Sequence, residues 1–153
     1  MKLPDDITKY IQEAALAATL PISIVRGIVC QESRGIPTAT RYEDDFYEEY
    51  TEPMSLSADE EKKRATSWGL MQIMGQTARE RGFKGKFEEL LDPQVGLYWG
   101  CRQLSVFHAR YFKRYGWDGV IAAYNAGSPR KRKDGRWVNY GYVGFVLKYA
   151  AEK

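Results

Sequence analysis

Apolar residues in this chain recur at the spacing of an α-helix almost from end to end, and the two-residue alternation of a half-buried strand is scarce. Ile7, Tyr10, Ile11, Ala14 and Ala15 define one face of a first helix, expected from about Ile7 to Leu20, with Asp5 or Asp6 as its cap and Pro21 as its end. A second is expected from Ile22 to Arg34 with Gly35 as its stop. Ser57-Ala58-Asp59-Glu60 has the form of a capping box and opens a short polar helix. Another short helix follows Ile73 and leads to Gly82. Asp92-Pro93 is a strong start for the longest helix, which carries Leu97, Cys101, Leu104, His108 and Tyr111 along one face to about Tyr115. Gly116 closes it, Asp118 caps the next through Val120, Ile121 and Tyr124, and a last helix runs from about Tyr140 to Ala151. The pattern predicts a mainly α, single-domain chain over residues 1–153. Its one long irregular stretch lies from about Pro37 to Leu56, within an insertion or lid spanning 37–66.

Charge is divided along the chain. Residues 43–61 carry nine of the 20 acids and none of the 23 Lys and Arg residues, so the remainder holds 11 acids against 23 bases. A basic body suits a polyanionic partner such as nucleic acid, an acidic membrane surface or bacterial wall. The densest basic stretch, Arg130 to Lys133 with Arg136, has no recognised nucleic-acid motif beside it and reads as a solvated loop. No apolar run approaches the ~20 residues of a membrane span. The opening residues lack the apolar region of a signal peptide, so delivery by another route, such as a phage particle or holin-dependent release, is the expectation.

Cysteine and histidine offer little chemistry. Cys30 and Cys101 fall at apolar helix positions outside any metal-binding spacing and read as buried thiols, with a single bridge between them left open. His108, the only histidine, sits among Phe107, Tyr111 and Phe112 and reads as packing. No metal and no cofactor are expected.

Glu32 is the residue out of place. It follows Val25, Ile28 and Val29 at i+7, i+4 and i+3, which puts a carboxylate on the apolar stripe of its helix, in the last turn. Desolvation and the negative end of the helix dipole both push a carboxyl pKa upward. A carboxylic acid that stays protonated near neutral pH is what a general acid requires. The bland alternative is a glutamate at a helix end that reaches water or pairs with Arg26 or Arg34.

Four short motifs follow one another in order: Gln31-Glu32-Ser33, Gly69-Leu70-Met71-Gln72-Ile73, Ala122-Ala123-Tyr124-Asn125-Ala126-Gly127 and Tyr142-Val143. In that order they resemble the soluble lytic transglycosylase family, over about Pro21 to Val146. The resemblance implies a lysozyme-like fold and a peptidoglycan glycan substrate. Glu32 matches the family's catalytic acid/base, and Ser33 its usual partner, although a hydroxyl there also suits a helix end. Met71 and Gln72 match the loop lining the glycan groove, and Asn125, after Tyr124, lies near the sugar acetamido group. Tyr142 matches the late tyrosine aimed at the glutamate, with Tyr140 as the other candidate. The resemblance further implies cleavage between N-acetylmuramic acid and N-acetylglucosamine to a 1,6-anhydro product, with one carboxylate, at the bacterial cell wall and by a monomer.

The chain departs from the family in two places. The gap from Glu32 to Gly69 is long, with the acidic segment as its excess, and Met74-Gly75 stands where the family carries Met-Pro. Alternatives are a goose-type lysozyme-like muramidase, with Glu43, Asp44 or Asp45 positioning water, and a non-catalytic wall-binding module.

Overall fold

A computed structural model describes residues 1–152. The order is α1 (Asp5–Ala17), α2 (Ile22–Ser33), β1 (Thr40–Tyr42), α3 (Asp44–Phe46), α4 (Ala58–Arg64), β2 (Thr66–Trp68), β3 (Ile73–Met74), α5 (Gly75–Glu80), α6 (Pro93–Ala126) and α7 (Tyr140–Ala150). The chain is mainly helical, as its periodicity predicts, with one small antiparallel sheet in the order β1-β2-β3. These strands are two or three residues long, too short to leave an alternating signature.

The larger core is built where the apolar stripes of α1, α2, α6 and α7 meet, around Ile11, Val25, Ile28, Leu97, Leu104, Ile121 and Val146. Gly27 lets α2 and α7 come close: a Cβ there would lie 2.5 Å from the Val146 carbonyl oxygen. A smaller core of Trp68, Ile73, Phe83, Phe87 and Leu90 supports the sheet. Cys30 and Cys101 are buried free thiols, and Cys101 Sγ lies 3.9 Å from Met71 Sδ. His108 stacks on Phe112 and leans on Trp117.

The helix ends refine the sequence expectations. Neither Asp5 nor Asp6 caps α1, whose N-cap is Pro4. The helix ends three residues before Leu20, because Thr19 adopts a left-handed conformation and Leu20 N–H closes back on the Ala15 carbonyl. At the end of α2 the left-handed cap is Arg34, followed by Gly35, also at positive φ. Asp92 caps α6 through Gln94 and Val95 N–H, as expected. α6 continues to Ala126 with a break at Gly116 (φ 67°, ψ −169°), which places Asp118 in the first turn of the second half rather than at its cap. Ser57 Oγ caps Glu60 N–H, but the Glu60 carboxylate turns to Arg64 and Arg79, so only half of the capping box forms.

The stretch expected to be irregular is ordered. Its first part is β1, paired to β2 with Thr40 opposite Trp68. The chain then winds through α3, a π-helical turn at Tyr47–Thr51 and a 3-10 turn at Glu52–Met54. Thr51 is fully buried, and the buried Glu61 carboxylate accepts from Leu56 N–H, so this acidic arm is tied to α4. The same packing explains Gly75: a Cβ there would lie 2.9 Å from the Arg64 Cα. With α4 in place a proline ring has no room.

Candidate active site

Glu32 ends the buried stripe of α2, and α7 passes alongside. Tyr142, at the start of α7, donates its hydroxyl to Glu32 Oε2 at 2.9 Å. Tyr140 points elsewhere: it is 45% exposed, with the Arg132 and Arg136 guanidinium groups over its ring. Of the two candidate tyrosines, Tyr142 is the one at the glutamate.

Burial raises the Glu32 carboxyl from 4.5 to about 7, against the opposing effects of the Tyr142 hydrogen bond and the Arg41 charge. The half-buried carboxyl opens onto a groove of about 590 Å³, which Arg41, Gln72, Tyr124 and Asn125 also line. Burial and the Glu32 charge lift the Tyr142 and Tyr124 phenols well above 10, so both stay protonated donors through neutral pH.

The Gly-Leu-Met-Gln motif is the loop joining β2 to β3. Gly69 and Gln72 both take positive φ, and between them Leu70 and Met71 turn into the core. Gly100 on α6 gives Met71 its space, since a Cβ there would strike the Met71 side chain at 2.5 Å. Met71, expected as a substrate-binding residue of the loop lining the groove, keeps its side chain out of it: the side chain is fully buried, and the Met71 carbonyl accepts the Tyr124 hydroxyl at 2.7 Å. Gln72 does reach the groove, with its amide strapped to the Ala39 and Gly69 carbonyls.

Ser33, expected either as the substrate-binding partner of Glu32 or as a hydroxyl at the helix end, takes the second role. Its side chain is 5% exposed and does not line the groove. Its Oγ lies 2.7 Å from the Leu70 carbonyl, to which it donates, and accepts from Gly35 N–H. Ser33 thus fastens the end of α2, and with it Glu32, to the β2–β3 loop.

Asn125 stands at the other side of the groove, near the end of α6. Its Oδ1 accepts from Asn139 Nδ2, which also donates to the Ala122 carbonyl. Asn139 carried no signal in sequence, being one polar residue after a basic loop. Of the three acids considered for holding water, Glu43 and Asp45 line the groove and Asp44 does not; Glu43 is paired with Arg41 at 3.1 Å. Among the described residues no three His, Cys, Asp or Glu side chains are grouped to hold a metal ion, and no helix is long and apolar enough to cross a membrane. A separate cavity of about 440 Å³ lies between α1 and α6 and is lined by none of the motif residues.

A search of curated proteins finds no match to the chain. The family model described as the transglycosylase SLT domain matches residues 9–140, from the first turns of α1 to the start of α7. That span includes Glu32, the β2–β3 loop, Tyr124 and Asn125, and stops two residues before Tyr142. The chain belongs to the transglycosylase SLT domain family, the lytic transglycosylases that act on peptidoglycan of the bacterial cell wall.

Proposed function

We propose that the chain cleaves the β-1,4 bond between N-acetylmuramic acid and N-acetylglucosamine, with Glu32 as sole acid and base, and releases a 1,6-anhydromuramic end. The observation that carries this reading is the state of Glu32: a half-buried carboxyl lifted to about 7, held by Tyr142 and opening onto a groove. Such a group is protonated often enough to donate, and its carboxylate is basic enough to take a proton back.

In the first step the Glu32 carboxylic acid protonates the bridging oxygen as the muramic C1–O bond breaks. The N-acetylglucosamine leaves with a restored 4-hydroxyl, and the muramic acetamido oxygen steadies the cationic C1. Asn125, held from behind by Asn139, serves to orient that acetamido group. In the second step the Glu32 carboxylate removes the proton of the muramic 6-hydroxyl, whose oxygen bonds to C1. Glu32 ends protonated, as it began, and no water is consumed. The two-carboxylate arrangement of most glycosidases, about 5–5.5 Å apart for retention or about 6.5–9.5 Å for inversion, is then unnecessary, because the attacking group arrives on the substrate. Tyr142 orients the carboxyl and, by donating to it, supports its ionised form between the two steps.

Replacement Glu32→Gln tests the reading. It keeps the shape but offers no exchangeable acid, so wall lysis should fall by about 10²–10⁴-fold with helicity unchanged. Activity within a few-fold of the wild type would remove Glu32 from the mechanism.

A further inference from the structure

The acidic arm carries two aromatic rings that the fold does not use. Phe46 and Tyr50 are one helical step apart, with ring centroids 4.9 Å from each other. Neither belongs to the larger or the smaller core or packs against one. Tyr50 is 53% exposed. Both rings line the groove that holds Glu32, and the turn bearing Tyr50 is π-helical, a local irregularity frequent at functional sites. An aromatic pair left in water beside a groove loses the burial that would normally hold it in a core, and such patches mark contact surfaces.

The surroundings specify what the pair accepts. Glu43, Asp45 and Glu49 line the same stretch of groove. An acidic frame repels a ring whose attached peptide brings carboxylates, whereas the flat C–H face of a neutral sugar meets the rings without charge. The arm lies between Glu32 and the Gly-Leu-Met-Gln loop in the chain, and its rings share a groove with both. Continuity of the groove identifies the occupant as another unit of the strand being cleaved at Glu32.

We propose that Phe46 and Tyr50 form a sugar-stacking platform on the acidic arm, taking an unsubstituted N-acetylglucosamine unit of the glycan strand at a distance from the cleaved bond. The assignment rests on the glycan-cleaving reading of the groove. It makes the arm a determinant of strand binding, separate from the chemistry at Glu32.

The test is titration of the full chain, in a Glu32→Gln background that prevents turnover, with the neutral N-acetylglucosamine hexamer. Tyr50→Ala and Phe46→Ala should each weaken binding by about five-fold, the worth of one aromatic contact. Tyr50→Trp should restore it and Tyr50→Leu, apolar but without a flat ring, should not. Tyr50 is exposed, so its variants fold even where loss of half-buried Phe46 disturbs the arm. Unchanged affinity in Tyr50→Ala, or rescue by leucine, would overturn the platform. Undiminished hexamer binding in Tyr50→Ala together with weakened binding of a peptide-bearing wall fragment would overturn the neutral-sugar assignment. If the wild-type chain cleaves no wall glycan, the catalytic reading fails, while hexamer binding and its loss in Tyr50→Ala still decide the platform.

Discussion

Tyr142 and Glu32, 110 positions apart in the chain, share a hydrogen bond of 2.9 Å that exists because α7 packs closely on α2. The contact at Gly27 and Val146 brings the helix backbones together, and farther along the same pair of helices the phenol meets the carboxyl. The donor favours the ionised form of Glu32, while burial favours the neutral form more strongly, and the balance falls at about 7.

That balance predicts the direction of a pH profile. Tyr142→Phe removes a group that lowers the Glu32 pKa, so the alkaline limb of kcat/KM should move to higher pH as the maximal rate falls. Arg41→Met should move it the same way but less, since the Arg41 charge is the weaker of the two lowering effects. A limb that stays in place, or moves to lower pH in Tyr142→Phe, would show that another group controls it.

Stability should follow the same carboxyl. Below pH 4.5 Glu32 is protonated in both the folded and unfolded chains. As pH rises from there to about 7 the unfolded chain releases its proton and the folded protein retains it, so stability falls across this window and then levels. The full loss is on the order of 3 kcal/mol. Glu32→Gln lacks this titration, so its stability relative to wild type should grow between those pH values. Parallel denaturant curves for both proteins would refute the assignment of the shift to Glu32.

Ser33→Ala leaves the buried Leu70 carbonyl without its hydroxyl donor. The expected cost is about 1–3 kcal/mol of stability, measured by urea unfolding. Because Ser33 fastens Glu32 to the β2–β3 loop and does not face the groove, KM should change less than kcat. A rise in KM alone would assign Ser33 to direct substrate contact instead.

The helices were legible because their apolar periodicity extends over many residues, and Glu32 because a charge on an apolar stripe breaks that pattern. Choosing Tyr142 over Tyr140 required the packing of α7 on α2, which no local pattern encodes. The roles of Ser33 and Met71 are not legible from their motifs for one reason: motif residues can be held together through backbone carbonyls behind the groove, and here Leu70 and Met71 supply those carbonyls. The acidic arm reads as irregular because its strand has three exposed residues and its turns change helical type every few residues. What orders it, the buried Thr51 and the Glu61 bond to Leu56 N–H, depends on contacts formed only in the fold.

In the proposed reaction one acid, Glu32, closes the substrate on itself. Digestion of purified peptidoglycan in ¹⁸O-water, read by mass spectrometry, separates this closure from hydrolysis. Ring closure by the muramic 6-hydroxyl predicts 1,6-anhydromuramic ends, lighter than hydrolysed ends by one water and free of solvent ¹⁸O. Mainly reducing muramic ends carrying ¹⁸O would contradict it and would assign the water-holding role to Glu43 or Asp45 on the groove wall.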